Sequence, residues 1–232
     1  MKLKVFNSTL NEVKNKKFNI FIGISVGVKP LNEKIAKEYI SWALNHTENK
    51  ILILIADEIA KYNYQVFSSY NETKSLKRAY KDGEEHRLIF EKTIEKHFQK
   101  EKEKIEIISW ETIVSAKYQE SKKIITAFFE ENKEFQEKIN YFLKKYTERR
   151  SKDLSEEKLK KLSHYILSEL PTILSGIDHE NTHYNLLFYP TYIHSGLSEL
   201  CVNIFQKKEY PELNTCLKLK NKTILVEAYI EE

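Results

Sequence analysis

Gly23-Ile24-Ser25-Val26-Gly27 sets a hydroxyl between two glycines at the end of an apolar, β-branched run, Asn19–Val28. Glycines let the backbone turn sharply and approach a substrate closely, and the amide N–H groups of such a turn can hold an oxyanion. At the carboxyl end of a buried parallel strand, a side chain here faces the crevice in which open α/β sheets bind ligands. Ser25 is therefore a candidate nucleophile, although the same letters also suit a small residue in a tight turn.

A hydrolase-type nucleophile elbow has this GxSxG form, but here it falls on the first major strand and no Asp-then-His ending follows. His164, His179, His183 and His194 are isolated histidines. Neither GxxxxGK[ST] nor GxGxxG is present to mark a phosphate loop.

A second constellation lies in Asp153–Pro171. Asp153 and Glu156 fit a capping box, and Leu159, Leu162, Ile166 and Leu170 form one apolar stripe of a helix. Tyr165 and Glu169 stand one turn apart at the edge of that stripe and can point together into a cleft. A carboxylate there can bind an ammonium group and exchange protons with it, while the phenol orients the same ligand. An ordinary boundary pair with Glu169 in solvent explains the spacing equally well. Further on, Asn185–Leu197 brings Tyr189, Pro190, Tyr192 and His194 to the end of a predicted strand, where Pro190 stops the ladder and restrains Tyr189. Plain aromatic packing accounts for these residues too.

Lys74, Lys77, Arg78 and Lys81 share a helical spacing, with Arg87 beyond Gly83, and Lys144, Lys145, Arg149, Arg150 and Lys152 form another basic stretch. Such faces can bind phosphates without reading bases, or can simply be solvated. Acidic Glu84, Glu85, Glu156 and Glu157 interrupt the positive field.

The elements that must position these groups follow from hydrophobic period. Asn19–Val28, Lys50–Asp57 and Lys104–Trp110 read as buried strands, with shorter ones at Asn185–Tyr189 and Thr223–Tyr229. Helical patterns cover Glu33–Leu44, Thr73–His97 with a break expected at Gly83, Glu111–Phe129, Lys133–Tyr146, Ser155–Leu174 and Ser198–Phe205. Pro30 sits where a helix can begin. Strand, helix and strand in alternation predict right-handed βαβ units: an α/β, Rossmann-like three-layer domain with a mostly parallel sheet, spanning 1–232 as one domain.

The composition agrees with a folded chain. Of 232 residues 41% are hydrophobic, and 38 Lys plus Arg against 34 Asp plus Glu leave a net charge of +4, which permits an RNA partner without requiring one. Cys201 and Cys216 form no metal-ligand spacing, so a reducing compartment and no structural metal are expected. The longest apolar stretch is too short to cross a bilayer, and the expectation is a cytoplasmic protein without a membrane partner.

Taken together, the positions resemble the tRNA-dependent cyclodipeptide synthases, a family similar to the catalytic domain of class I tyrosyl- and tryptophanyl-tRNA synthetases. The resemblance runs through Gly23-x-Ser25, Ala56-Asp57-x-x-Ala60-x-x-Asn63-Tyr64, the basic helix around Lys77 and Arg78, Tyr165-x-x-x-Glu169-Leu170-Pro171, and Tyr189-Pro190. It implies that Ser25 accepts the aminoacyl group of one aminoacyl-tRNA and that a second aminoacyl-tRNA extends it to a dipeptidyl-enzyme. Cyclisation then releases a 2,5-diketopiperazine. By the same resemblance Tyr165 and Glu169 hold the first α-amino group, Tyr189 serves the later steps, and Gly23, Asn63, Tyr64 and Tyr118 contact substrate. Lys74, Lys77, Arg78, Lys81 and Arg87 would meet the tRNA. A large branch of the family has Asn three residues after the serine; Val28 and Pro190 are like the branch that lacks it and carries Tyr-Pro. No recognisable HIGH or KMSKS sequence is present, in keeping with substrates already activated on tRNA. No metal or other cofactor and no obligatory protein partner is implied. A non-enzymatic RNA-binding module and a serine hydrolase are the alternative readings.

Overall fold

The computed structural model describes residues 2–27, 31–148, 154–191, 196–219 and 223–229. Its centre is a six-stranded sheet built from β1 (Lys2–Phe6), β2 (Phe18–Ser25), β3 (Thr47–Ala56), β4 (Ile105–Ser109), β7 (Leu186–Thr191) and β8 (Ile224–Tyr229), in the order β1-β8-β7-β2-β3-β4. All neighbours are parallel except β1, which runs antiparallel to β8. A separate antiparallel hairpin joins β5 (Ile177–His179) to β6 (Thr182–Tyr184). The result is the expected Rossmann-like layering, with helices on both faces of a mostly parallel sheet.

Side-chain alternation along the strands sorts the helices into layers. Ile20, Ile22, Ile24, Ile51, Ile53 and Ile55 form one apolar core with α2 (Glu33–His46) and α4 (Glu72–His97), through Ala36, Tyr39, Ile40, Ala79, Phe90 and Ile94. Phe21, Leu52, Leu54, Ala56, Leu187 and Leu225 face the other way. They meet α5 (Ala116–Glu131), α6 (Lys133–Glu148), α7 (Glu156–Ser175), α8 (Leu197–Phe205) and α9 (Pro211–Leu217). Short helices α1 (Leu10–Asn15) and α3 (Lys61–Phe67) and the 3-10 turns Glu58–Ala60, Lys102–Lys104 and Trp110–Ile113 complete the described structure.

Several local expectations are corrected. Helix α4 runs unbroken through Gly83, where it closely approaches the residue after β3: a Cβ there would lie 2.6 Å from the Cβ of Asp57. The helix expected at Glu111–Phe129 is a 3-10 turn, Trp110–Ile113, followed by α5, whose N-terminus is capped by Ser115. Ser155 rather than Asp153 caps α7, accepting from the Lys158 N–H; Asp153 itself lies outside the described residues. So do Val28, Pro30, Arg149, Arg150, Lys152, Tyr192 and His194. Strand β2 ends at Ser25, β7 runs on through Pro190 to Thr191 in register with Ala228 and Tyr229 so that the proline does not stop the ladder, and β1, α1, α3, α9 and the β5–β6 hairpin add elements to those expected.

Candidate active site

Ser25 is the last residue of β2, paired in register with Ala56 of β3, so it stands at the carboxyl end in the middle of the sheet. Phe21, Gly23 and Ser25 share the face that looks toward α7. A Cβ on Gly23 would lie 3.2 Å from Leu187 Cδ1 and 3.4 Å from the Tyr189 ring, so the missing side chain is what admits that ring beside Ser25. Gly27, two residues past the serine, has φ +79°, a conformation that favours glycine.

Two tyrosine hydroxyls hold the serine. Tyr165 Oη, from α7, donates to Ser25 Oγ at 3.2 Å, and Tyr189 Oη, from β7, lies 3.2 Å from the same oxygen. Burial raises both phenols above the usual tyrosine range, with the neighbouring Glu169 carboxyl adding to the effect. Both are therefore protonated at neutral pH and neither serves as a base. Glu169 is 6% exposed, and burial lifts its carboxyl to about 8 while a hydrogen bond with Tyr165 pulls in the opposite direction. A carboxyl in this state favours its neutral form near pH 7, and a neighbouring cation favours the ionised one.

Ser25, Glu169 and Tyr189 line one cleft with Phe21, Gly23, Ile24, Leu54, Ala56, Trp110, Thr172, Ile173 and Leu187. The structure thus brings Gly23, Ser25, Tyr165, Glu169 and Tyr189 together. Trp110, Thr172, Ile173 and Leu187 are lining residues that the sequence reading did not single out, since apolar wall and apolar core carry the same letters. Trp110 is fixed by Asp57, which accepts its backbone N–H at 3.0 Å and that of Glu58 at 2.8 Å.

Tyr118, Asn63 and Tyr64 stand outside this cleft lining. Tyr118 Oη accepts from Trp110 Nε1 at 3.3 Å and donates to the Ser168 carbonyl at 2.9 Å, so it buttresses the wall and α7; burial pushes its phenol up to about 12. Asn63 is buried on α3. Tyr64 donates to Asp82 of α4, and its hydroxyl sits 2.9 Å from where a Cβ of Gly27 would be, bracing the turn after Ser25 from the far side. His164 and His183 lie apart from the serine: the His164 ring neighbours Tyr62 at 5.6 Å, and His183 Nδ1 is 2.6 Å from Asp178. His179 Nε2 pairs with Glu106 at 2.9 Å and, with Glu180, makes a group of ligand-type side chains on β4 and the hairpin, away from the serine.

The basic residues of α4 divide. Lys77 and Lys81 are exposed and make no side-chain pair among the described residues, and Lys74 Nζ lies 3.9 Å over the Tyr70 ring. Arg78 is held by Asp82, with Nε 2.9 Å from Oδ1. Arg87 donates to the Ile107 carbonyl at 3.0 Å, which ties α4 to β4. Cys201 is buried and Cys216 exposed. Among the described residues no helix is long and apolar enough to cross a membrane.

The fold is shared with solved proteins. A synthase structure from Staphylococcus haemolyticus, described as a CDPS, is 21% identical, with 98% of each chain covered and a TM-score of 0.72. A cyclodipeptide synthase from Bacillus thermoamylovorans is 17% identical, covering 99% of this chain and 97% of the other, with a TM-score of 0.75. A Mycobacterium tuberculosis protein, 11% identical with 85% and 83% covered and a TM-score of 0.68, is described as demonstrating that cyclodipeptide synthetases are related to type I tRNA synthetases. The comparison with curated proteins gives no match. Residues 1–204 match the family model described as cyclodipeptide synthase, and the chain belongs to that family, whose members form cyclic dipeptides from aminoacyl-tRNAs.

Proposed function

We propose that this enzyme works by covalent relay, with Ser25 carrying first an aminoacyl and then a dipeptidyl group. The observation that carries the reading is the serine hydroxyl held between Tyr165 and Tyr189 above a buried carboxyl, in a cleft walled by Phe21, Leu54, Trp110, Ile173 and Leu187. Ser25 Oγ attacks the aminoacyl carbonyl, the bond to the terminal ribose oxygen breaks, and the serine proton ends on that oxygen. The ester supplies the activation, so the protein has to align the reactants and keep water out. Because both phenols stay protonated, they donate to the reacting oxygens and the departing ribose oxygen is the natural proton acceptor.

Glu169 binds the α-ammonium group as a carboxylate. Its preference for the neutral form then draws a proton back and frees the amine that attacks the second aminoacyl ester. Attack by the terminal amine of the dipeptidyl ester on its own serine-bound carbonyl closes the ring and returns Ser25. The apolar wall suits an apolar side chain on the first amino acid. Lys74, Lys77 and Lys81 meet tRNA phosphates, whereas Arg78 and Arg87 shape the enzyme. The chain acts as one catalytic unit in the cytoplasm, where charged tRNA is found.

Incubating parent and Ser25→Ala protein with tRNA carrying a radiolabelled amino acid, followed by an acid quench, tests the relay. The parent is expected to hold label as an alkali-labile ester on Ser25 and to release a diketopiperazine, and the variant to do neither while keeping its fold. Label on another residue, or near-parental product from folded Ser25→Ala, would refute it.

A further inference from the structure

A second cationic cluster lies on the opposite face of the sheet from α4. Helix α7 ends at the hairpin that leads into the start of β7, so it runs back against the strands and its earlier turns rise beyond their carboxyl ends. Lys160 and His164 are one turn apart there. Helix α5 lies antiparallel to α7: Tyr118 Oη bonds the Ser168 carbonyl, and Lys122, a turn further along α5, comes beside His164, a turn earlier on α7. From α3, Tyr62 packs its ring against the imidazole at 5.6 Å. Beneath the cluster sits Tyr118, bonded to the cleft wall at Trp110, so the cluster stands about one helical turn, roughly 5 Å, past that wall.

Charges of both signs meet here: Lys122, Lys160 and Glu130 act on His164, while Glu58 and Lys61, paired with each other at 3.2 Å, act on Lys122, and Glu156 and Glu157 lie a turn before Lys160 on α7. Lys122 is half-buried, and among the described residues its ammonium has neither ion pair nor hydrogen bond. Burial lowers the pKa of both Lys122 and His164, and Lys122 and Lys160 press further on His164. A half-buried ammonium with no ion pair among the described residues, beside an imidazole that carries a second lysine one turn away, suits a bound anion.

We propose that Lys122, Lys160 and His164, backed by Tyr62, bind a phosphate of the acceptor end of a tRNA substrate, forming a grip separate from the α4 face. The proposal rests on the aminoacyl-tRNA reading above. It explains how a terminal nucleotide is held over Ser25 from the α7 side while α4 holds the RNA from the other.

The test compares parent, Lys122→Ala/Lys160→Ala and Lys122→Arg/Lys160→Arg for binding of uncharged tRNA at several salt concentrations. Product formation from charged tRNA is measured in parallel. One phosphate contact to a single-stranded end predicts a salt slope smaller by about 0.7 and binding weaker by roughly tenfold at low salt in the Ala pair, with the Arg pair close to parent. Circular dichroism controls for folding. Unchanged affinity and slope in folded Ala variant would overturn the proposal even though the parent makes product, which leaves the relay standing. A parent that makes no product while the slope still falls would sink the relay instead and keep an RNA phosphate site. A third arm titrates inorganic phosphate: binding of free phosphate that the Ala pair loses, with tRNA binding unchanged, would overturn the RNA assignment.

Discussion

The two faces of the sheet are built to different rules. Toward α2 and α4, β2 and β3 present Ile20, Ile22, Ile24, Ile51, Ile53 and Ile55, β-branched side chains of constant bulk. Toward α7 the same strands taper: Phe21, Gly23, Ser25 on β2 and Leu52, Leu54, Ala56 on β3. Bulk that stays constant makes a sealed interface, and bulk that shrinks toward the carboxyl ends makes a hollow. One face therefore holds the sheet together, while the other opens where the strands end. The lesson is that the position of the cleft is set by what is absent at residues 23 and 56 as much as by what the serine offers.

The sharpest way to break this contrast is to refill the hollow. Gly23→Val puts a branched side chain against Leu187 and Tyr189, and a displacement of Tyr189 by about 1 Å from Ser25 is expected to cut product formation by about a hundredfold. The fold should survive at a cost of roughly 1–3 kcal/mol from overpacking. Steady-state product assays beside a urea titration check both. Near-parental turnover would mean that the taper does not define the site.

The second test uses the carboxyl on the hollow's floor. Unfolded Glu titrates near about 4.3, whereas folded Glu169 titrates at about 8. Between these values the folded chain holds the extra proton, so this residue's contribution to stability is greatest below the unfolded value and declines as pH rises through about 8. Glu169→Gln removes the decline. The variant is expected to match parent near pH 4, to exceed it by a few kcal/mol at pH 9, and to make little product. Parallel pH dependence of unfolding free energy in the two proteins would mean that the carboxyl is already ionised in the cleft.

The smallest effect belongs to the sealed face. Ile22→Val deletes one methylene from fully buried packing and should cost about 1 kcal/mol, with product formation at 25 °C unchanged. A loss of turnover larger than the loss of folded protein would show that the two faces are coupled.

Much of this division was legible in the sequence. The strands β2, β3, β4, β7 and β8 stand out as dense Ile, Leu and Val runs, and the long helices by their stripes. The short elements were not: five residues in β1 or six in α1 carry too little period to separate them from loop. Propensity alone marks Gly83 as a helix breaker, yet its use is close approach, which depends on Asp57 in a different element. At the site, Tyr165 and Glu169 could be placed on one helix edge, but spacing alone could not choose between a cleft and solvent; the family resemblance brought Ser25 and Tyr189 to them. The split of the α4 cations was hidden for the same reason as Gly83, since Asp82 and the Ile107 carbonyl are partners that only the fold supplies.

The strand order also governs how the enzyme is made. Ser25 meets Tyr165 and Tyr189 across 140 and 164 residues of chain, and β2 has β3 on one side long before β7 exists to cover the other. While the ribosome is still extending the chain, β2 is an open sheet edge of bare amides flanked by isoleucines, a surface that invites pairing with other nascent chains. The nucleophile is thus assembled only once β7 has been made, and a polypeptide cut short before β7 has a strand to aggregate with but no serine poised to acylate.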